Sequence, residues 1–206
     1  VQLRKYAGED GLSAYGALMY INLIFSAIFM GYAISAAPIT SFHLGAGNKN
    51  EMKSVLKKSL VIISVCSLAM FGLSAGLSKP LAMIFASYDD TLLEMTRMAL
   101  LLSSCQYVFM GLGMYGSSYF TALNNGLISA IIAFLRSMVF NIAYVFLIPM
   151  IWGLNGIWLS IPFSELTCLI IVVIFLLAYE RKYGYGFWKK KKTDVVEAPV
   201  DDSHSE

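Results

Sequence analysis

The stretch Pro38-Ile-Thr-Ser-Phe-His-Leu-Gly-Ala-Gly-Asn-Lys-Asn-Glu-Met-Lys-Ser-Val-Leu-Lys-Lys58 joins two long apolar runs and decides how the chain is read. Gly45, Gly47 and Asn48 tolerate the left-handed backbone that ends a helix, so they stop the first run. Lys49, Lys53 and Lys57 follow at spacings of four, which places three ammonium groups on one face of the next helix start, with Lys58 beside them. A basic turn between two bilayer-length runs faces the cytoplasm by the positive-inside rule.

Working outward, the apolar runs repeat. Of 206 residues, 58% are hydrophobic and only 14% are charged; mean hydropathy is +0.68. Charge is confined almost entirely to the connections. This composition predicts an all-α fold, a polytopic membrane helical bundle, and the ten-residue alternation of a transmembrane barrel is missing. Five spans are expected, at about residues 12–42, 55–77, 95–123, 127–150 and 157–179. Each is long enough for a hydrocarbon layer roughly 30 Å thick. Residues 1–183 form the membrane lobe. Residues 184–206, with Lys189 to Lys192 and then an acidic end, read as a cytoplasmic tail without fixed structure. The first residues are polar and begin with Val1, which suggests that more chain precedes them.

Smaller signals fill in the runs. Pro38 is expected to kink the first span. Gly72-x-x-x-Gly76 in the second suits close helix packing. A short amphipathic piece after Pro80 is followed by Ser87 to Thr91. Asn124-Asn125-Gly126 and Ile151 to Gly156 are expected turns. Cys66, Cys105 and Cys168 lie inside apolar runs without a C-x-x-C and read as small packing residues. With the tail inside, cytoplasmic segments carry ten Lys and Arg, counted as Lys49, Lys53, Lys57, Lys58, Arg181, Lys182 and Lys189 to Lys192. The opposite side carries four: Arg4, Lys5, Lys79 and Arg97. That asymmetry places the amino end outside and the carboxyl end in the cytoplasm of a plasma (inner) membrane.

The polar groups inside the runs are the candidate functional residues. Arg136 and Glu165 each lie about nine residues from their own side, roughly 13 Å deep at 1.5 Å per residue. Their runs are antiparallel neighbours, so an ion pair is geometrically possible. Either charge alone costs about 3 kcal/mol at the helix centre. Such a pair either belongs to a substrate or proton pathway or simply locks two helices together. Asn22, Gln106 and Asn141 are further pathway candidates, with interhelical hydrogen bonding as their plainer role. Pro38, Gly45, Gly47 and Asn48 form the candidate hinge. His43 borders it as an interfacial residue. Nothing spells a hydrolase, zincin or nucleotide-binding motif; Gly111-x-Gly113-x-x-Gly116 falls in mid-span, where no strand precedes it. No metal, resident cofactor or nucleic acid is expected.

The order of these features resembles the multidrug and toxic-compound extrusion (MATE) family, and most nearly its bacterial efflux branch. The resemblance is carried by Ala36-Ala-Pro38-Ile-Thr-Ser-Phe-His-Leu-Gly45-Ala-Gly47-Asn48, by Arg136, and by Gly153-Leu-Asn-Gly156-Ile-Trp158-Leu-Ser-Ile-Pro162-Phe-Ser-Glu165. It implies twelve spans in two six-helix lobes around a central cavity, with this chain corresponding to spans eight to twelve. It implies efflux of drugs or small organic cations in exchange for Na⁺ or H⁺, with membrane lipid and a missing amino-terminal lobe as partners. The family's coupling carboxylates lie on spans one, seven or ten. The first two spans are not in this chain, and the third carries Gln106 at its centre instead, so the coupling ion is not assigned. A lipid-linked oligosaccharide flippase of related fold, or a truncated membrane protein that does not transport, are the alternatives.

Overall fold

The basic turn does end one long helix and begin another. In the computed structural model, which describes residues 2–184 apart from Tyr88, α1 (Gln2–Gly45) stops at Gly45 and α2 (Lys49–Gly76) starts at Lys49. Gly47 takes φ +67°, a left-handed value that favours glycine. Asn48 caps α2 by accepting the Glu51 N–H at 3.2 Å. A short α3 (Ser78–Ala86) packs back on α4 (Asp90–Ser104), whose cap Asp89 accepts from the Thr91 and Leu92 N–H groups at 2.8 and 3.2 Å. Then come α5 (Gln106–Ala122), α6 (Gly126–Phe134), a π-helical turn (Leu135–Phe140), α7 (Asn141–Leu147) and α8 (Pro149–Tyr183).

Four helices are long and apolar enough to cross a membrane, and five spans result if the bent pair α4–α5 counts as one. Three expected spans need correction. The third is not one straight rod: α4 and α5 meet at 47° across Cys105. The fifth begins earlier than residue 157, because Pro149 opens α8 and the expected turn at 151–156 is absorbed into it. A break remains there, at Gly153, whose φ of +56° departs from the helix. The first span runs through Pro38 on helical backbone; its non-helical residue is Gly8, at φ +60°. Helical φ/ψ at Pro38 is possible because a proline in a long helix costs one hydrogen bond, and here the freed group is the Ile34 carbonyl. The turn at Asn124-Asn125-Gly126 is as expected, with Asn124 at φ 56°.

The bundle is organised around α5, which packs against α1, α2, α6 and α8. Small residues let its neighbours approach. A methyl group on Gly111 would lie 2.6 Å from Ser67 Oγ and 2.7 Å from the Phe29 ring, and one on Gly116 would collide with Val172. The glycine pattern in mid-span is therefore a packing surface. Gly72 and Gly76 are different: a methyl on either meets nothing within 4 Å, so their face of α2 is not packed by the described residues. Two clusters dominate the buried interior. One gathers Leu56, Tyr115, Tyr119, Phe120 and Val172; the other gathers Leu18, Ala99, Leu100, Ile157 and Trp158. Outside, apolar side chains such as Leu23, Ile34, Val61, Leu68, Ile170 and Ile174 are exposed, as they are on helices that lie in lipid. Tail residues 185–206 lie outside the described residues.

The two basic regions meet at one end of the bundle. Gly184, the left-handed cap of α8, lies against the Lys49 side chain, where a methyl would come within 2.6 Å of Cδ. Lys182 extends over the rings of Tyr179 and Tyr183 at 5.5 and 5.4 Å.

A Gly116→Leu substitution is expected to lower the melting temperature in detergent by several degrees, since overpacking a tight contact costs about 1–3 kcal/mol. Adding Val172→Ala should recover most of the loss; an unchanged thermal unfolding curve for the single variant would remove the close contact from consideration.

Candidate functional site

All five polar residues picked from the spans line one cavity of about 970 Å³: Asn22 on α1, Gln106 on α5, Arg136 on the π-turn, Asn141 on α7 and Glu165 on α8. They come from the first, third, fourth and fifth spans, so no short stretch of sequence contains the site. The cavity follows α5, with α1 on one side and the π-turn and α8 on the other.

At its centre Arg136 Nε donates to both carboxylate oxygens of Glu165, at 3.0 and 3.1 Å. The Arg136 side chain is 20% exposed and that of Glu165 8%, so the guanidinium borders the cavity while the carboxylate is set back from it. Gly113 lies beside the carboxylate, and a methyl there would meet Glu165 Oε2 in ordinary contact at 3.8 Å. The π-turn carries Arg136, and Asn141 Nδ2 donates to the Arg136 carbonyl at 2.9 Å. The wider winding of a π-turn misaligns the backbone ladder, and a side-chain amide can take up a carbonyl displaced in this way. Next to the pair, the Tyr144 hydroxyl and Thr167 Oγ1 lie 2.7 Å apart.

Gln106 and Asn22 are placed differently. Gln106 is the first residue of α5, directly after the 47° bend, and is 1% exposed. Its Nε2 and the Oδ1 of Asn22 are buried without a hydrogen-bond partner among the described residues. Both belong to the cavity lining.

The sequence reading missed a hydroxyl cluster. Ser117, Ser118, Thr121, Ser129, Ser137 and Ser160 also line the cavity. Ser117 and Ser129 place their Oγ atoms 3.1 Å apart, and Thr121 Oγ1 donates to Ser129 Oγ at 2.7 Å. Ser118 donates to the Ala33 carbonyl at 3.1 Å and Ser41 to the Ala122 carbonyl at 3.0 Å, which ties α1 to α5. A usable signal was present: Ser117 and Thr121 are four apart and share a helix face. The candidate hinge residues are elsewhere. Pro38, Gly45, Gly47 and Asn48 sit at the α1–α2 end of the bundle and do not line the cavity.

The MatE family model matches residues 3–147. The chain belongs to the MatE family. It is 25% identical over 158 residues to the FAD transporter of Shewanella oneidensis, an alignment covering 77% of this chain and 35% of that protein. It is 24% identical over 176 residues to the multidrug export protein MepA of Staphylococcus aureus (strain bovine RF122 / ET3-1), covering 82% of this chain and 38% of MepA. Among solved structures, an outward-facing multidrug resistance MATE family transporter of the MOP superfamily superimposes with a TM-score of 0.82 at 18% identity. That match covers 89% of this chain and 42% of the other. An inward-facing structure of such a transporter gives 0.82 at 17% identity, over 90% of this chain and 43% of the other. The chain thus spans about two fifths or less of the length of these relatives, and it is a membrane protein of the MatE fold.

Breaking the buried pair from one side is expected to cost more than removing it. Arg136→Met alone leaves a carboxylate without its partner, a loss of about 3 kcal/mol. Arg136→Met with Glu165→Leu should melt within a few degrees of the unaltered protein; equal and additive losses in a double-mutant cycle would show that the two groups do not interact.

Proposed function

We propose that this chain is the carboxyl-terminal lobe of a cation-coupled antiporter that expels drugs and small organic cations, using Na⁺ or H⁺ as the counter-ion. The carrying observation is the convergence of Asn22, Gln106, Arg136, Asn141 and Glu165 on one large cavity in a chain of MatE fold. Glu165 is the acid of that cavity, and its carboxylate holds either the Arg136 guanidinium or, in exchange, a substrate cation. Alternating access needs a second bundle rocking against this one. The equal TM-scores to outward- and inward-facing structures support a lobe that moves as a unit.

The basic end, where Gly184 meets Lys49, faces the cytoplasm of the cell membrane in this reading. A flippase for a pyrophosphate-linked lipid is disfavoured, because the cavity's one guanidinium is already neutralised by Glu165 and offers an anion no net charge. The relative named an FAD transporter raises a second reading, export of a flavin nucleotide, although the same lack of net positive charge counts against its pyrophosphate.

Cells expressing the protein in its full reading frame should retain less ethidium than control cells. Glu165→Gln should cut that efflux at least tenfold at equal protein level. Unaltered ethidium retention with protein present in the membrane would refute export of cations, and loss of cellular FAD to the medium would select the second reading. A single cysteine at Asn48, in a background where Cys66, Cys105 and Cys168 are serine, should react with an impermeant maleimide only in inside-out vesicles.

A further inference from the structure

We infer that the corner of the bundle where α2 begins and α8 ends binds the phosphodiester headgroup of an anionic phospholipid, with the acyl chains laid along α8. The inference rests on the membrane reading of these helices and not on what the cavity carries. Contact between Lys49 and Gly184 brings the two helix ends together. Lys53 lies one turn after Lys49, and Arg181 lies three residues before Gly184, so each is a helix-face neighbour of that contact. Lys49 and Arg181 are exposed, and Lys53 is half-buried. None of these three cations takes part in an ion pair among the described residues. The other charges at the two helix ends are Lys57, Lys58 and Lys182 against Glu51 and Glu180, so the surplus is positive. Lys182 is already placed over the Tyr179 and Tyr183 rings, and Lys57 and Glu180 have contacts of their own. Lys49, Lys53 and Arg181 are thus assembled by the fold from two helices distant in sequence and left for an anion from outside.

The surface beneath the cations selects a lipid over a soluble anion. Ile170, Ile174, Leu177 and Arg181 follow at spacings of four, three and four, which puts all four on one stripe of α8. The three apolar members are exposed, and Arg181 stands in the last turn of the helix. From Arg181 to Ile170 the stripe is about 16 Å long at 1.5 Å per residue. That is roughly half of a hydrocarbon layer about 30 Å thick, the depth of one leaflet. Lys and Arg at a helix end hold their charge at headgroup level while their stems lie on apolar surface. A phosphate with two hydrocarbon chains complements both parts, the cations above and the exposed stripe below. A soluble anion would use the cations and leave the stripe uncovered.

The test titrates the purified, delipidated protein in nonionic detergent with phosphatidylglycerol and with phosphatidylcholine of the same acyl chains, and counts bound lipid by native mass spectrometry. Phosphatidylglycerol should bind at least tenfold more tightly. The variant Lys49→Gln/Lys53→Gln/Arg181→Gln, checked for monodisperse elution, should bring the two lipids within twofold. Replacing Lys189 to Lys192 by Gln should leave the tenfold preference in place. Equal affinity of the two lipids for the unaltered protein overturns the proposal, and so does a preference that survives in the corner variant or vanishes in the tail variant. Two further readouts need no variant. Millimolar glycerol phosphate should leave bound phosphatidylglycerol in place, and displacement would make this a soluble-anion site and remove the lipid. A photoactivatable phosphatidylglycerol should label α8 between Ile170 and Arg181, and labelling confined to other helices refutes the placement. Ethidium efflux enters none of these outcomes, so this inference and the transport reading fail separately.

Discussion

A carboxylate and a guanidinium placed at the middle of a hydrocarbon layer must find each other or find water. That requirement ties the π-turn to α8 and orients both. With Arg136 Nε held at 3.0 and 3.1 Å from the two Glu165 oxygens, α8 cannot rotate about its axis without leaving an ion stranded. Gly116 lets Val172 settle against α5, and this close contact and the ion pair together fix the inward face of α8. The cavity follows from this: polar side chains that must avoid lipid are gathered on one side, and the apolar sides are left to face outward.

The stretch 153–165, on which part of the sequence resemblance rested, has a physical explanation residue by residue. Gly153 supplies the left-handed break at the start of α8. Gly156 lies so close to the Ile148 carbonyl that a methyl would approach it within 2.6 Å, which brings the helix back over its own entry turn. Trp158 is wholly buried among the residues that join α1, α3 and α4 to α8. Pro162 sits in the buried face without ending the helix, and Glu165 reaches the pair.

Much of this was legible in the sequence because lipid imposes simple rules. Apolar length gave the spans, and the rarity of charge inside them singled out Arg136 and Glu165. Asn22, Gln106 and Asn141 stood out in the same way. What stayed hidden depended on neighbours. The bend at Cys105 interrupts a run with no proline and no break in hydropathy, so composition could not reveal it. The start of α8 was misplaced because Gly153 and Asn155 look like a turn, yet one left-handed glycine is enough to redirect a helix and let it continue. The hydroxyl residues carry no such signal of charge, and only the fold shows that Ser117, Ser129 and Thr121 bond to one another.

The π-turn has a geometric consequence for what lies beyond it. On regular α-helical winding at 100° per residue, Asn141 would sit roughly 120° around the axis from Ser129, facing away from it. Six residues wound at about 4.4 per turn give back roughly 100° of that difference. The turn thus works as a gear offset: it re-phases the second half of the span so that Ser129, Arg136 and Asn141 look in one direction. One residue of slack is stored in the middle of the membrane, and returning it to ordinary winding would rotate α7 as a screw and turn Asn141 out of the cavity.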